Sequence, residues 1–478
     1  MKPFLALLSA CSALALSGCN FGPNVPQKQT IPLLVNYSEH TGSIGQPRRM
    51  AGDHWWQAFG DPGLTRLIVL GASGNLGLKE AEARIAAADG RVTSANAGFF
   101  PTVTLGAKRE VKREVGSMRT VDGEVVTKGA EFTSKWLIDL FGEVYSQARS
   151  AEAKSEAARA SFDVARLALV SDLSAAYVDT RYYQELSRIA ERRAASFRRT
   201  LGLVRAQRNE GLASGLDVAR AETELAAAEA EAPIQEANIR RAANRAATLV
   251  GRSASEVLPV LKAEGGQPLP VYDVNVGVPA DLLRNRPDVR VAELEFQAAA
   301  ADIGYAWSQL FPSISLNGSI APSYISTDAK SGSLNTWSFG PSLRLPIFEG
   351  GRLTANVGVA EAEARAREIA WRQSVLKAVE EVENALVTFA RQKRAFDAAA
   401  SQVSAARRSY DLSQAAYKGG VTPLFEALDA ERRYFESAVE LAEIKRQVAR
   451  EFIDLNVAVG RGLAGPGRAN PQRVARAR

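Results

Sequence analysis

Cysteine and histidine are nearly absent from this chain of 478 residues, which has only Cys11, Cys19, His40 and His54. A disulfide framework or a His/Cys metal centre needs several such side chains at set spacings, so both are excluded. So little histidine also leaves no means of assembling a nucleophile, a base and an orienting partner. No run of 18 apolar residues occurs, which excludes a polytopic helical membrane protein. One-sided charge is missing too. Lys2, Arg461, Arg468, Arg473, Arg476 and Arg478 account for the net charge of +6, leaving residues 20–460 neutral. A basic stripe for nucleic acid is not expected, and 462–478 reads as a solvated basic tail. Gly350-Gly351 lacks a following Lys-Ser/Thr, so it marks a strand-to-helix junction rather than a phosphate loop. No enzyme, cofactor or metal is expected.

What is present begins with Lys2 and the apolar stretch Phe4–Leu16, the pattern of a signal peptide over 1–18. Leu16-Ser17-Gly18-Cys19 resembles the lipobox of bacterial lipoproteins. That resemblance implies cleavage before Cys19, with diacylglycerol and palmitate attached there. Asn20 in place of an aspartate implies sorting to the outer membrane. Several acyl chains at ~0.8 kcal/mol per buried CH₂ anchor a protein firmly.

The remainder is a duplication. Phe100-Pro101-Thr102-Val103-Thr104-Leu105 matches Phe311-Pro312-Ser313-Ile314-Ser315-Leu316 at an offset of 211. Gly211-Leu212, Ala221-Glu222 and Val250-Gly251-Arg252 match Gly420-Val421, Ala430-Glu431 and Val459-Gly460-Arg461, all at 209. Fixed offsets over such distances make two copies of one unit, 64–252 and 279–461. They are flanked by 19–63 and joined by a linker, 253–278. Each copy runs in the same order: helix, Phe-Pro breaker, two alternating segments, very long helix, glycine turn, returning helix. The long stretches 143–209 and 352–417 contain no proline and are rich in Ala, Glu, Arg, Gln and Leu. Each is ~100 Å long at 1.5 Å per residue. The shorter helices (64–98, 216–250, 279–309 and 424–459) pair by length, so that two end to end match one long one. Pro233 is expected to kink or open the first returning helix.

Alternating apolar residues mark four strands, near 102–111, 130–140, 312–321 and 336–347, although Arg109 spoils the apolar face of the first. Ten residues with one apolar face suit a transmembrane β-strand. An open edge cannot stand in lipid, and closure needs about eight strands. The same pattern also suits a small soluble sheet packed on helices; if the strands stand in a membrane, four per chain require several chains to share one barrel, continued by the long helices.

Trp55-Trp56-Gln57-Ala58-Phe59-Gly60-Asp61-Pro62-Gly63-Leu64 resembles the opening of TolC-like outer-membrane efflux lipoproteins. Leu283-Arg284-Asn285-Arg286-Pro287-Asp288-Val289-Arg290 resembles their Arg-Pro-Asp signature. The resemblance implies an α+β membrane protein: a homotrimer with a 12-stranded β-barrel in the outer membrane on a 12-helix periplasmic α-barrel. It implies the exit duct of a tripartite efflux pump, with a periplasmic adaptor and an inner-membrane pump of the resistance-nodulation-division type as partners. Two other readings stay open, a periplasm-spanning coiled-coil lipoprotein and the outer-membrane duct of a type I secretion system.

Arg286, Pro287 and Asp288 suit a helix start and read as structural, and the Trp55/Trp56 pair as packing. In the resemblance, the turns holding Gly211, Gly215, Gly420 and Pro423 are the tips that meet the adaptor. Phe425 and Asp429, with Glu426 beside them, match the family's gate. Positions i and i+4 share a helix face. Three copies of Asp429 would crowd like charges and raise the pKa of some. The alternative has Phe425 packed between helices and Asp429 paired with Arg432 or Arg433.

Overall fold

The computed structural model describes residues 54–113, 115, 123–262, 265–270 and 286–462. Cys19 and the signal segment, Leu283–Asn285, part of the linker and the basic tail lie outside the described residues. Eight helices and four strands are named here: α1 (Pro62–Gly74), α2 (Leu76–Asn96), β1 (Thr102–Arg113), β2 (Glu124–Ile138), α3 (Glu143–Asn209), α4 (Gly215–Val250), α5 (Ala254–Lys262), α6 (Pro287–Ser308), β3 (Ser313–Ser326), β4 (Ser331–Arg344), α7 (Arg352–Lys418) and α8 (Leu424–Ala458). Both long helices are 67 residues, which follows from uninterrupted stretches of strong helix formers.

Four helix ends use the same device. At Gly211, Gly251, Gly420 and Gly460 the chain turns left-handed, with φ of 74°, 71°, 70° and 74°. The next N–H reaches back five residues: Leu212 to the Gln207 carbonyl at 2.8 Å, Val421 to Ala416 at 2.9 Å, and Arg252 to Ala247 and Arg461 to Asn456 at 3.0 Å each. That closes otherwise orphaned carbonyls, and a side chain at the left-handed position would be strained. The 209-residue repeat thus reappears in three dimensions.

Two expectations change. The stretch 64–98 is two helices, because Asn75 breaks it. Its side-chain amide donates to the Leu249 carbonyl (2.7 Å) while its oxygen accepts from the Leu78 N–H (2.9 Å). A Cβ on Gly74 would come within 2.3 Å of the Val250 carbonyl, so the close approach fixes the break. Pro233 does not open α4, which runs unbroken from Gly215 to Val250. It lies on the exposed side, where water can satisfy the carbonyl it orphans, and buried Ala221, Ala228, Ala243 and Ala246 hold both flanks. Within the linker, α5 occupies 254–262.

Two compact units result, and each draws on both sequence copies. In the first (83–159 and 291–372), the strands form one antiparallel sheet in the order β1-β2-β3-β4. The middle pairing, Trp136 opposite Leu316 and Phe132 opposite Ile320, joins the two copies. Strands run past the expected outer ends, to Arg113 and Ser326, because pairing continues through residues without an apolar pattern. β4 stops at Arg344, and Pro346 just beyond has no N–H to give the ladder. One face carries Val103, Leu105, Phe132, Trp136, Ile320, Trp337, Phe339 and Leu343. The other carries hydroxyl and amide pairs, Thr104 with Thr133 (2.5 Å), Ser319 with Ser338 (2.9 Å), and Asn317 with Ser342 (2.8 Å). Below the sheet, Phe141 stacks on Phe311 (4.9 Å) and Asp89 takes the Arg159 guanidinium at 2.8 Å.

The second unit holds the main core. Fully buried Trp55, Leu64, Leu67, Leu173, Tyr177, Val250 and Phe452 gather the start of the chain, α3, α4 and α8. A second cluster near the turns packs Phe197, Leu201, Val204, Val218 and Tyr417 against Leu424, Ala427 and Leu428.

Candidate functional site

The two glycine turns lie at the same end of the second unit, tied by the Tyr417 hydroxyl, which donates to the Gln207 side-chain carbonyl. Gly215 opens α4 behind a capping box in which Ser214 and Asp217 satisfy each other's backbone N–H. Pro423 precedes α8 and has no side-chain cap to offer, so Glu426 in the first turn faces the helix dipole instead. Both turns expose apolar side chains, Leu212 and Val421 each being 79% exposed.

From the second turn, α8 divides cleanly by face. Leu424, Ala427, Leu428 and Glu431 are buried. Phe425, Glu426, Arg432, Arg433 and Glu436 are exposed, with Asp429 half-buried among them. Phe425 is 61% exposed, so it does not pack between helices within the chain. Asp429 does not stand alone. Its two oxygens accept from Arg432 Nη2 at 2.5 Å and Arg433 Nε at 2.7 Å. The Arg433 hydrogen bond, with Arg432 adding to it, outweighs partial burial and holds this carboxyl below the usual carboxylate range. This lowering belongs to one chain, whereas the raised value was expected of three crowded copies.

Glu431 escaped the sequence reading, where it resembled any carboxylate on a solvated helix face. It is fully buried, and one oxygen accepts from Thr200 Oγ1 (3.2 Å) on α3 and Gln414 Nε2 (3.1 Å) on α7. The other has no partner among the described residues. Burial pushes its pKa up; the Ser196 and Thr200 hydroxyls and the Arg199 charge oppose this without reversing it, and Glu224 adds to it. A carboxyl raised in the folded state supports the fold fully at acid pH and loses that support as pH climbs through its folded value. Glu431→Gln is therefore expected to raise the melting temperature of the helices at neutral pH and to leave it nearly unchanged at acid pH, by circular dichroism. Equal melting at neutral pH would show that water or relaxation already compensates the charge.

Arg286, Pro287 and Asp288 form a structural joint. Pro287 is the first residue of α6. Arg286 is buried and grips Asp288 with both arms (3.0 and 2.7 Å), the Ala458 carbonyl (3.0 Å) and Glu381 on α7 (2.7 Å). Burial alone would raise the Asp288 carboxyl, but the bidentate guanidinium reverses this and leaves it lowered. Trp55 packs edge-on against Phe59 and Phe452 and donates its N–H to the Arg461 carbonyl (3.2 Å).

No helix among the described residues is long and apolar enough to cross a membrane, which says nothing of the sheet. The sequence profile of outer membrane efflux proteins matches the chain twice, at 67–252 and 278–461, once for each copy. Nodulation protein T of Rhizobium leguminosarum bv. trifolii is 38% identical over 461 residues, covering 96% of each chain. Outer membrane protein OprJ of Pseudomonas aeruginosa is 30% identical over 480 residues, again with 96% of each chain covered. The solved structure of the outer-membrane channel OprN superimposes with a TM-score of 0.84 at 30% identity, over 93% of this chain and all of that one. On these matches, which take in both sequence copies, the sheet and the long helices, the chain belongs to the outer membrane efflux protein family.

Proposed function

We propose that the protein works as a homotrimer anchored by lipid on Cys19, gated at the α8 stripe, and served by a periplasmic adaptor and a resistance-nodulation-division pump. A member of this family is an outer-membrane efflux channel, the exit duct of a tripartite pump, and not an enzyme. The observation that supports the trimer is the sheet. Its four strands leave β1 and β4 as open edges, which lipid does not tolerate, and three chains give a twelve-stranded closed barrel. The apolar face then meets lipid and the Ser/Thr/Asn face lines the water-filled path.

At the tips, Gly211, Gly215, Gly420 and Pro423 form short exposed turns between rigid helices, a surface suited to an adaptor that splays them. Phe425 would narrow the path with an apolar side chain, and the Asp429–Arg432–Arg433 cluster would set its charge. In planar bilayers, protein with the light-scattering mass of three chains is expected to conduct. Phe425→Ala should raise resting conductance, and Asp429→Ala, by removing the carboxylate that Arg432 and Arg433 share, should shift selectivity towards anions. Wild-type current and selectivity in both variants would place the gate elsewhere. Cys19→Ser should abolish labelling by radioactive palmitate, and retained label would remove Cys19 as the anchor.

A further inference from the structure

Arg109 interrupts an otherwise apolar strand face, and the pairing register shows what it interrupts it for. Successive rows across the apolar face are Ile138–Ile314–Leu343, Trp136–Leu316–Pro341, Val103–Ser134–Gly318–Phe339 and Leu105–Phe132–Ile320–Trp337. A small row with Ala107 opposite Ala130 follows, and then Arg109 directly opposite Lys128, with Tyr324 and Ser333 completing the row. Arg109 and Lys128 are exposed, and Tyr324 is 46% exposed.

Like charges directly opposite each other on one sheet face repel, so this row carries a cost unless an anion joins it. The chain does not provide one on that face. Among its described residues the only carboxylate is Glu124, which stands opposite Arg113 two rows further out. Glu110 and Glu131 alternate onto the other face. β4, the strand a closing barrel brings beside β1, contains no acidic residue at all.

Depth points to the missing partner. Ten residues separate Ile314 from Tyr324 on β3, or ~33 Å along the strand. With the ~40° tilt of membrane barrels, that is a height of ~25 Å, the thickness of the apolar band. The Arg109–Lys128 row therefore stands at the outer rim of the band, level with lipid headgroups. A guanidinium fork, an ammonium, a phenol and a hydroxyl in one row form a donor set for a phosphate monoester. We propose that Arg109, Lys128, Tyr324 and Ser333 bind the phosphate of an outer-leaflet lipid headgroup, fixing the barrel's depth in the membrane. This rests on the sheet facing lipid, as the family assignment requires.

The test uses the purified full chain in its assembled form, inserted into phosphatidylcholine vesicles containing bisphosphorylated lipid A. Parallel vesicles carry the same lipid after phosphatase treatment. Lipid A retained after gentle detergent extraction is counted by native mass spectrometry. At about 1 kcal/mol per basic residue, the double variant Arg109→Ala/Lys128→Ala should hold lipid A roughly thirty-fold more weakly than wild type. Arg109→Lys should hold it nearly as well, and wild type should favour the phosphorylated lipid by a similar factor. Should the double variant assemble poorly, Lys128→Gln alone carries the comparison. Equal retention by wild type and variants, or equal retention of phosphatase-treated lipid, overturns the proposal. Complete displacement by millimolar inorganic phosphate would also overturn it, since the site would then be one for free anions. Failure of wild type to insert into plain phosphatidylcholine would instead refute the membrane-facing sheet.

Discussion

Trp55→Ala is expected to destabilise the helical part of the protein by about 3–5 kcal/mol, the usual cost of emptying a fully buried tryptophan site. Trp55 is 0% exposed and joins the start of the chain to its last helix. Its ring meets Phe59 beside it in sequence and Phe452 on α8, and its N–H holds the Arg461 carbonyl just past the end of that helix. The loss should appear as a lower midpoint in thermal unfolding followed at the helical band, and as a lower level of protein in the outer membrane. Trp55→Phe refills most of the volume and gives up the hydrogen bond, so about 1 kcal/mol is expected there. An alanine variant that melts like wild type would mean that the start of the chain is not tied to α8 in the assembled protein.

Arg286→Ala should cost about 2–3 kcal/mol. Breaking a wholly buried ion pair costs 3–5, but Asp288 and Glu381 keep 43% and 40% of their side-chain surface, so water recovers part of the loss. What is lost is the joint: the start of α6, the middle of α7 and the last carbonyl of α8 all meet on one guanidinium. Arg286→Lys is the more telling variant. An ammonium keeps the charge but cannot serve four acceptors in fork geometry, so lysine should rescue less than half of the loss. Full rescue by lysine would show that charge, and not geometry, makes the signature.

The parts legible in the sequence were those governed by neighbours along the chain. Helices α3 and α7 end where glycine takes the left-handed conformation, and their interiors hold no residue that argues against a helix. Strand alternation is likewise a local pattern, which the 209-residue repeat shows twice, and with it came the expectation of four strands that one chain cannot close. Tertiary structure decided whatever depends on residues far apart. Asn75 breaks a helix because Leu249 and Val250, some 174 residues away, come close enough to hold it. Glu431 looked like Glu426 in sequence, yet α3 and α7 cover one while the other meets solvent. Arg109 looked like a flaw in a strand until the register set it against Lys128. Asp429 could be read from sequence as paired or free, and the helix settled it by turning Arg432 and Arg433 onto the same face. Propensity and pattern act over a few residues, whereas burial, pairing and the fate of a charge are set by whichever distant surface packs against it.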